Sequence, residues 1–291
     1  MVAKLKELLV VIVGETASGK SEAALKVAKQ FNGEIVSADS WTVYKDFDIG
    51  TAKPSKAERR LIKHHLLDVA NPRDGYNAAI FKREATKRIN EILKRGKLPV
   101  IVGGTGLYLD SLIYDYSFLP DSNVDVRSSY NSMSLGELRQ LVSKLGYDTT
   151  DIDMSNKRRI IRLIENKGKR PVSKPMREDV IIFGIQLDRS KLETNIQKRV
   201  DTMFSNGLEN EVKTLAKKYG WSIEPMKGIG YREFKDYFEG SITIDDVKKR
   251  ITQNSLNLAK KQRTWFKRNK SIQWVSNSSK IVDILTTHLN K

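Results

Sequence analysis

The first apolar run, Leu8-Leu9-Val10-Val11-Ile12-Val13, has no polar interruption and predicts a buried parallel strand. Residues 21–31 place Ala24, Leu25, Val27 and Ala28 at helical spacing. Glu34-Ile35-Val36-Ser37-Ala38 reads as a second strand ending in Asp39-Ser40, and Leu66-Leu67-Asp68-Val69 as a third. Residues 78–95 carry a helical stripe of Ile80, Phe81, Ala85, Ile89, Ile92 and Leu93, stopped by Gly96. Leu98-Pro99-Val100-Ile101-Val102 is a fourth strand, followed by Gly103-Gly104-Thr105-Gly106. This alternation predicts an α/β fold, a parallel sheet with helices on both faces and right-handed crossovers.

After Tyr114 the pattern changes. Residues 117–132 hold Pro120, Asp121, Ser122 and Asn123, a loop signal. Helices are expected over 135–145, 156–166, 192–219, 244–267 and 281–289, and strands over 180–187 and 271–275. The predicted organisation is an α/β core of 1–116 with 178–190 and 271–291. Residues 117–177 and 191–270 form an inserted helical domain. No internal repeat or low-complexity tract interrupts it.

Composition narrows the class. The 291 residues are 39% hydrophobic and 30% charged, as in globular proteins. No apolar run approaches the roughly 20 residues of a membrane span, so no membrane association is expected. Lys4 and Lys6 precede an apolar run that leads straight into Gly14, which reads as a first strand and not a secretory signal. There is no cysteine, which excludes disulfides, thiolate metal sites and a cysteine nucleophile, and a cytoplasmic location is expected. The net charge of +17 points to a polyanionic partner. From residue 248 to the end, 11 Lys and Arg face one acid, Asp283, a net of +10 over 44 residues.

The candidate chemistry centres on Gly14-Glu15-Thr16-Ala17-Ser18-Gly19-Lys20-Ser21, which fits Gly-x-x-x-x-Gly-Lys-Ser/Thr between a strand and a helix. Such a P-loop binds an oligophosphate, ATP included, through its amides and the positive helix end. Lys20 adds a point charge, and the Ser21 hydroxyl can hold Mg2+. Ligands of parallel sheets lie beyond the strands' carboxyl ends, where the P-loop, Asp39-Ser40 and Gly103–Gly106 converge. Asp39 reads either as a general base beside the transferring group or as a turn cap. Thr105 lies on a loop whose glycines admit a close ligand, or merely form a tight turn. Asp68 ends an apolar run, as a magnesium-associated carboxylate would. His64 and His65 point to opposite faces of a strand and so do not chelate one ion. Arg158 and Arg159 each share a helix face with Arg162, and Arg199 can reach a phosphate from another helix. Residues 253–270 interleave six cations with Trp265 and Phe266, which suits nucleic acid with the aromatics inward and the cations outward.

Together these segments resemble the tRNA dimethylallyltransferases, or tRNA isopentenylpyrophosphate transferases. Besides the P-loop, the resemblance rests on Ser37-Ala38-Asp39-Ser40, Asp48-Ile49-Gly50-Thr51-Ala52-Lys53-Pro54, His64-His65-Leu66-Leu67-Asp68 and Val102-Gly103-Gly104-Thr105-Gly106-Leu107-Tyr108. It continues through Arg199–Met203 with Gly207-Leu208, Gly230-Tyr231-Arg232-Glu233, and Ala259-Lys260-Lys261-Gln262-Arg263-Thr264-Trp265. It spans nearly the whole chain in order. It implies a P-loop NTPase-like core and a prenyltransferase that acts as a monomer on the anticodon stem-loop of tRNA. The reaction moves a dimethylallyl group from its diphosphate to N6 of the adenosine 3′-adjacent to the anticodon. Gly14, Glu15, Thr16, Ala17, Ser18, Gly19, Lys20 and Ser21 would hold the diphosphate with Arg199, and Ser21 the magnesium. Asp39 would be the general base, assisted by Thr16 and Lys20. Contacts to tRNA would come from Asp39, Ser40, Trp41, Thr42, Thr105, Arg127, Arg158, Arg159, Ile160, Ile161 and Arg162.

The chain departs from the family pattern in four places. Glu15 replaces proline, and an acid there is expected to weaken diphosphate binding. Trp41-Thr42 replaces Met-Gln, while Asn195 and Leu256 stand where arginines are common. Competing readings are a small-molecule P-loop kinase, an adenylate isopentenyltransferase and a nucleotide-switched RNA-binding module. The basic last third and the arginine helix favour tRNA over a small substrate.

Overall fold

The computed structural model describes residues 8–119 and 124–290. Lys4, Lys6 and the loop residues Pro120, Asp121, Ser122 and Asn123 lie outside them. The chain forms two units, residues 1–113 with 177–291, and residues 114–176 inserted between.

In the first unit, β1 (Leu9–Gly14) leads through the P-loop into α1 (Lys20–Gln30). Then come β2 (Gly33–Ser37), α2 (Lys56–Leu61), β3 (His64–His65), α3 (Ala78–Lys94), β4 (Leu98–Gly103) and α4 (Gly106–Ile113). The sheet is six-stranded in the order β3-β2-β4-β1-β5-β6, with β5 (Val180–Ile185) and β6 (Gln273–Val275) from the far side of the insertion. Every pairing is parallel. Val10 and Ile12 of β1 pack with Ala24, Val27 and Ala28 of α1 and with Ile281 and Leu285 near the C-terminus. Leu9, Val11 and Val13 point the other way and are equally buried, so the sheet is covered on both faces. The fold is therefore α/β with a P-loop NTPase-like parallel core.

The third strand lies two residues earlier than the apolar run predicts. Leu66 and Asp68 have φ of 63° and 57°, left-handed values that end the strand at His65. The carboxylate of Asp68 is drawn to Lys53 and Arg59, at 2.6 Å each.

The inserted unit holds α5 (Val124–Ser132), α6 (Leu135–Lys144) and α7 (Lys157–Glu165). Its core joins Leu138 and Val142 to Ile160, Ile161, Leu163 and Ile164, with Tyr130 packed against them. α5 thus forms in the C-terminal part of the stretch 117–132, which reads as loop.

Residues 191–270 pack within the first unit. There α8 (Arg189–Ser205) and α9 (Leu208–Tyr219) replace the single helix expected over 192–219. Gly207 takes φ 90° and breaks it, a conformation costly to any residue with a Cβ. A single turn α10 (Lys235–Phe238), the long α11 (Ile244–Phe266) and α12 (Ser278–Asn290) complete the chain. No helix among the described residues is long and apolar enough to cross a membrane.

Candidate active site

The strand ends surround a cavity of about 210 Å³ lined by Thr16, Lys20, Ser21, Asp39 and Arg199. Ile196, Val200, Met203, Ile229, Ile251 and Leu258 supply apolar lining. The cavity therefore suits a small ligand with both a charged and an apolar part.

Two of its cations lack counterions, whereas a third, Lys53, is paired with Asp48 and Asp68. Neither Lys20 nor Arg199 has a carboxylate within ion-pair distance among the described residues. Lys20 donates to the carbonyl of Glu15 (3.0 Å), and Arg199 reaches the carbonyl of Thr51 at 3.5 Å. Burial first, and Arg199 second, lower the Lys20 ammonium from 10.5 to about 8. Burial also lowers Arg199. The hydroxyl of Ser18 is buried and has no hydrogen-bond partner. Two desolvated cations and an orphan hydroxyl beside a P-loop fit a bound oligophosphate. A magnesium ion would also fit: Ser21 could give one oxygen and leave the rest to phosphate and water, the ordinary mode for this ion. No cluster of three His, Asp or Glu competes as a metal site among the described residues.

Asp39 is half-buried and caps a turn at the edge of the cavity. Its Oδ1 accepts from the amides of Trp41 (2.8 Å) and Thr42 (3.4 Å), capping the turn. Its charge also faces the cavity cations, counteracting the lowering of Lys20 and Arg199. Thr105 meets Ser40: its Oγ1 accepts from the Ser40 amide (3.0 Å). The buried Thr42 hydroxyl pairs with Ser37 at 3.0 Å.

The glycines after β4 serve protein packing. A Cβ on Gly104 would lie 2.2 Å from Gln262 Nε2, and one on Gly106 2.3 Å from the Trp265 indole. α11 thereby reaches the site. Gln262 accepts from the amide of Thr16 (2.8 Å) and donates to the carbonyl of Gly104 (3.1 Å), tying two loops together. Trp265 is half-buried and donates to Asp110 at 2.9 Å, Phe266 is buried, and Lys260, Lys261 and Lys267 are exposed. The acid at position 15 is paired: Glu15 is 4% exposed and forms a bidentate ion pair with Arg263. Asn195, which stands where the family pattern commonly has arginine, donates to the carbonyl of Ala17 (3.1 Å), and Leu256 packs near Ala17 and Ile196.

Asp68 is engaged by two cations. It bonds Lys53 and Arg59, which hold its carboxyl below the usual range against burial. His65 bonds the buried Glu34 at 2.7 Å and His64 the carbonyl of Ile62, so both are structural.

In the inserted unit, Arg158 and Arg159 are exposed on α7, whereas Ile160 and Ile161 are core side chains. Arg127 and Arg162 both approach the carboxylate of Glu165, at 3.6 and 3.5 Å.

Sequence reasoning passed over Gln262 and Glu211 as site-shaping residues. Glu211 accepts from the amides of Asp48, Ile49 and Gly50 and from the Tyr231 hydroxyl. Neither fits a catalytic pattern, since each acts on backbone far away in sequence.

Comparison with known proteins agrees with this geometry. A family model described as IPP transferase matches residues 42–269. A tRNA dimethylallyltransferase of Staphylococcus haemolyticus is 38% identical over 98% of this chain and 93% of its own. The crystal structure of a tRNA isopentenylpyrophosphate transferase from Bacillus halodurans superposes with a TM-score of 0.75 at 34% identity, covering 98% and 96% of the two chains. A eukaryotic dimethylallyltransferase acting on tRNA gives 0.74 at 25% identity, covering 89% and 70%.

Proposed function

The chain belongs to the IPP transferase family, and on that premise we propose that it is a tRNA dimethylallyltransferase. It transfers the dimethylallyl group of dimethylallyl diphosphate to the exocyclic N6 of the adenosine 3′-adjacent to the anticodon. The observation that carries this reading is the pair of desolvated cations, Lys20 and Arg199, that share a partly apolar cavity with Asp39 and have no carboxylate within ion-pair distance among the described residues.

Chemistry follows from these residues. The P-loop, Lys20 and Arg199 hold the diphosphate and neutralise charge as the bond from C1 to oxygen breaks. Magnesium at Ser21 would add Lewis-acid neutralisation of the same oxygens. N6 forms the new bond to C1, its proton passes to Asp39, and diphosphate leaves with the bonding electrons. Thr16 orients the diphosphate from the loop.

The adenine must leave its stack to reach such a cavity, and an unpaired loop lowers that cost. Asp39, Ser40, Trp41, Thr42 and Thr105 line its approach, and Arg127, Arg158, Arg159 and Arg162 bind phosphates of the anticodon stem-loop. The enzyme works as a cytoplasmic monomer, which light scattering of the free protein and its tRNA complex checks.

The test is incubation with labelled dimethylallyl diphosphate, magnesium and unmodified tRNA, followed by nucleoside analysis. Label on N6 of adenosine, lost in Asp39→Asn, is expected. Label on free adenosine monophosphate alone would move the assignment to a nucleotide-modifying relative. Phosphate transfer from ATP to a small alcohol, with no prenylation, would replace it with a kinase.

A further inference from the structure

Glu15 presents a problem if the loop holds a diphosphate. Its carboxylate is buried inside the P-loop, and its charge is felt at Lys20, the residue that should meet the anion. A buried negative charge so close would oppose a second one. Both of its oxygens, however, are taken by the guanidinium of Arg263, in the fork geometry that only arginine supplies. Arg263 sits beside Gln262 in α11, and Gln262 holds the amide of the next loop residue, Thr16. Two consecutive helix residues thus grip two consecutive loop residues.

We infer that Arg263 is a positioning residue of the diphosphate site. It cancels the Glu15 carboxylate and fixes the loop's outer edge against α11, so that the anion meets the P-loop, Lys20 and Arg199 without an opposing charge from Glu15. This rests on the reading of the cavity as a diphosphate site. Arg263 itself touches no substrate; it acts through Glu15. The pair also explains how an acid stands in a phosphate-binding loop.

The experiment measures binding of pyrophosphate with magnesium to the full chain by calorimetry, for wild type, Glu15→Gln, Arg263→Met and the double variant. A unit charge released a few ångströms from the anion is worth one to two powers of ten at a partly buried site. Arg263→Met is therefore expected to weaken pyrophosphate binding by about 10- to 100-fold. Glu15→Gln is expected to bind at least as well as wild type. The double variant is expected to return within about threefold of wild type, although it lacks the arginine. In turnover, Arg263→Met raises KM for the allyl donor and leaves KM for tRNA unchanged. Arg263→Lys, which keeps charge but loses the fork, falls between. The split between the two KM values separates this role from a merely structural one, since an orphaned buried Glu15 that only weakened the fold would lower active enzyme without raising KM for the donor alone. The double variant tests that the acid is the cause.

Wild-type affinity in Arg263→Met, or a double variant as weak as the single, overturns the inference while leaving the diphosphate site intact. A wild type that binds no pyrophosphate removes the diphosphate reading and the inference together.

Discussion

Asp39 has a different task for each carboxylate oxygen. Oδ1 caps the turn through the amides of Trp41 and Thr42, which leaves Oδ2 to take a proton. Asp39→Asn separates the two, because an amide oxygen still accepts those bonds but cannot act as a base. We expect turnover to fall by about 10²-fold or more, with tRNA affinity and melting temperature unchanged. Unaltered single-turnover rates would leave Asp39 as a cap only. Lys20 carries a second residue-scale prediction. Burial and Arg199 hold it at about 8 in the free protein, against an ordinary 10.5. A bound diphosphate restores the higher value, so between these two pH values binding takes up a proton, and affinity falls as pH rises through about 8. The ¹³Cε resonance of Lys20 should titrate near pH 8 when free and at higher pH with pyrophosphate. A titration midpoint that does not move on binding would argue against contact. Both residues were legible in the sequence because each follows a buried strand in a recognised spacing. Gln262 and Arg263 were not legible as loop partners, since that depends on where a helix some 245 positions away ends.

The segment 48–54 shows what sequence withholds at the scale of an element. Its resemblance to a family motif was plain, but nothing local says what shapes it. One carboxylate does so, Glu211 of α9, which gathers three consecutive amides and the Tyr231 hydroxyl. Lys53 then runs inward to the carbonyl of Tyr44 and to Asp48 and Asp68, which explains why the apolar run at 66–69 turns and does not extend the sheet. Removing Glu211 as Glu211→Ala strands those amides, at a cost of about 2 kcal/mol or more. Because Arg199 leans on Thr51 in the same segment, the variant should also raise KM for the allyl donor. Denaturant melts and KM measured together decide whether the latch serves the site or only the fold. The buried strands β1, β2, β4 and β5 and the long helices α3 and α11 are legible in the sequence, because burial on both faces or one stripe leaves a periodic trace. The Gly207 break was missed, since a lone glycine within a helical pattern does not reveal its φ. At the start of β2, Glu34 is buried among His65, Arg95 and Lys97, whose hydrogen bonds outweigh burial and lower its carboxyl to about 2. A carboxyl so lowered stabilises the fold above its unfolded value near 4.3 and ceases to as pH falls towards 2. Acid unfolding should therefore lose a steep component in that window in Glu34→Gln. An unchanged acid limb would show that other carboxyls dominate.

Charge is the property of the whole molecule that bears most directly on its partner. Residues 114–176 carry 11 Lys and Arg against 8 Asp and Glu, so +3 of the +17 belongs to the inserted unit and +14 to the rest. If tRNA is held mainly through phosphates, its affinity must fall steeply with salt, with a slope of about −0.7 to −0.9 per phosphate neutralised. The exposed Lys260, Lys261 and Lys267 belong to the most basic segment, and their joint replacement by Gln should flatten that slope by about two if all three meet phosphates. Arg158→Gln with Arg159→Gln in the inserted unit should flatten it by about 1.5, despite the small net charge there, if that helix binds the stem-loop. Pyrophosphate affinity should be unchanged in both sets, because none of these residues lines the cavity. The comparison is decisive because net charge and contact predict different results. A basic surface that served solubility alone would leave the salt slope unchanged in the lysine variant, and the polyanion would then be held by the inserted unit. Slopes that change in both sets would place tRNA phosphates on both units of the chain.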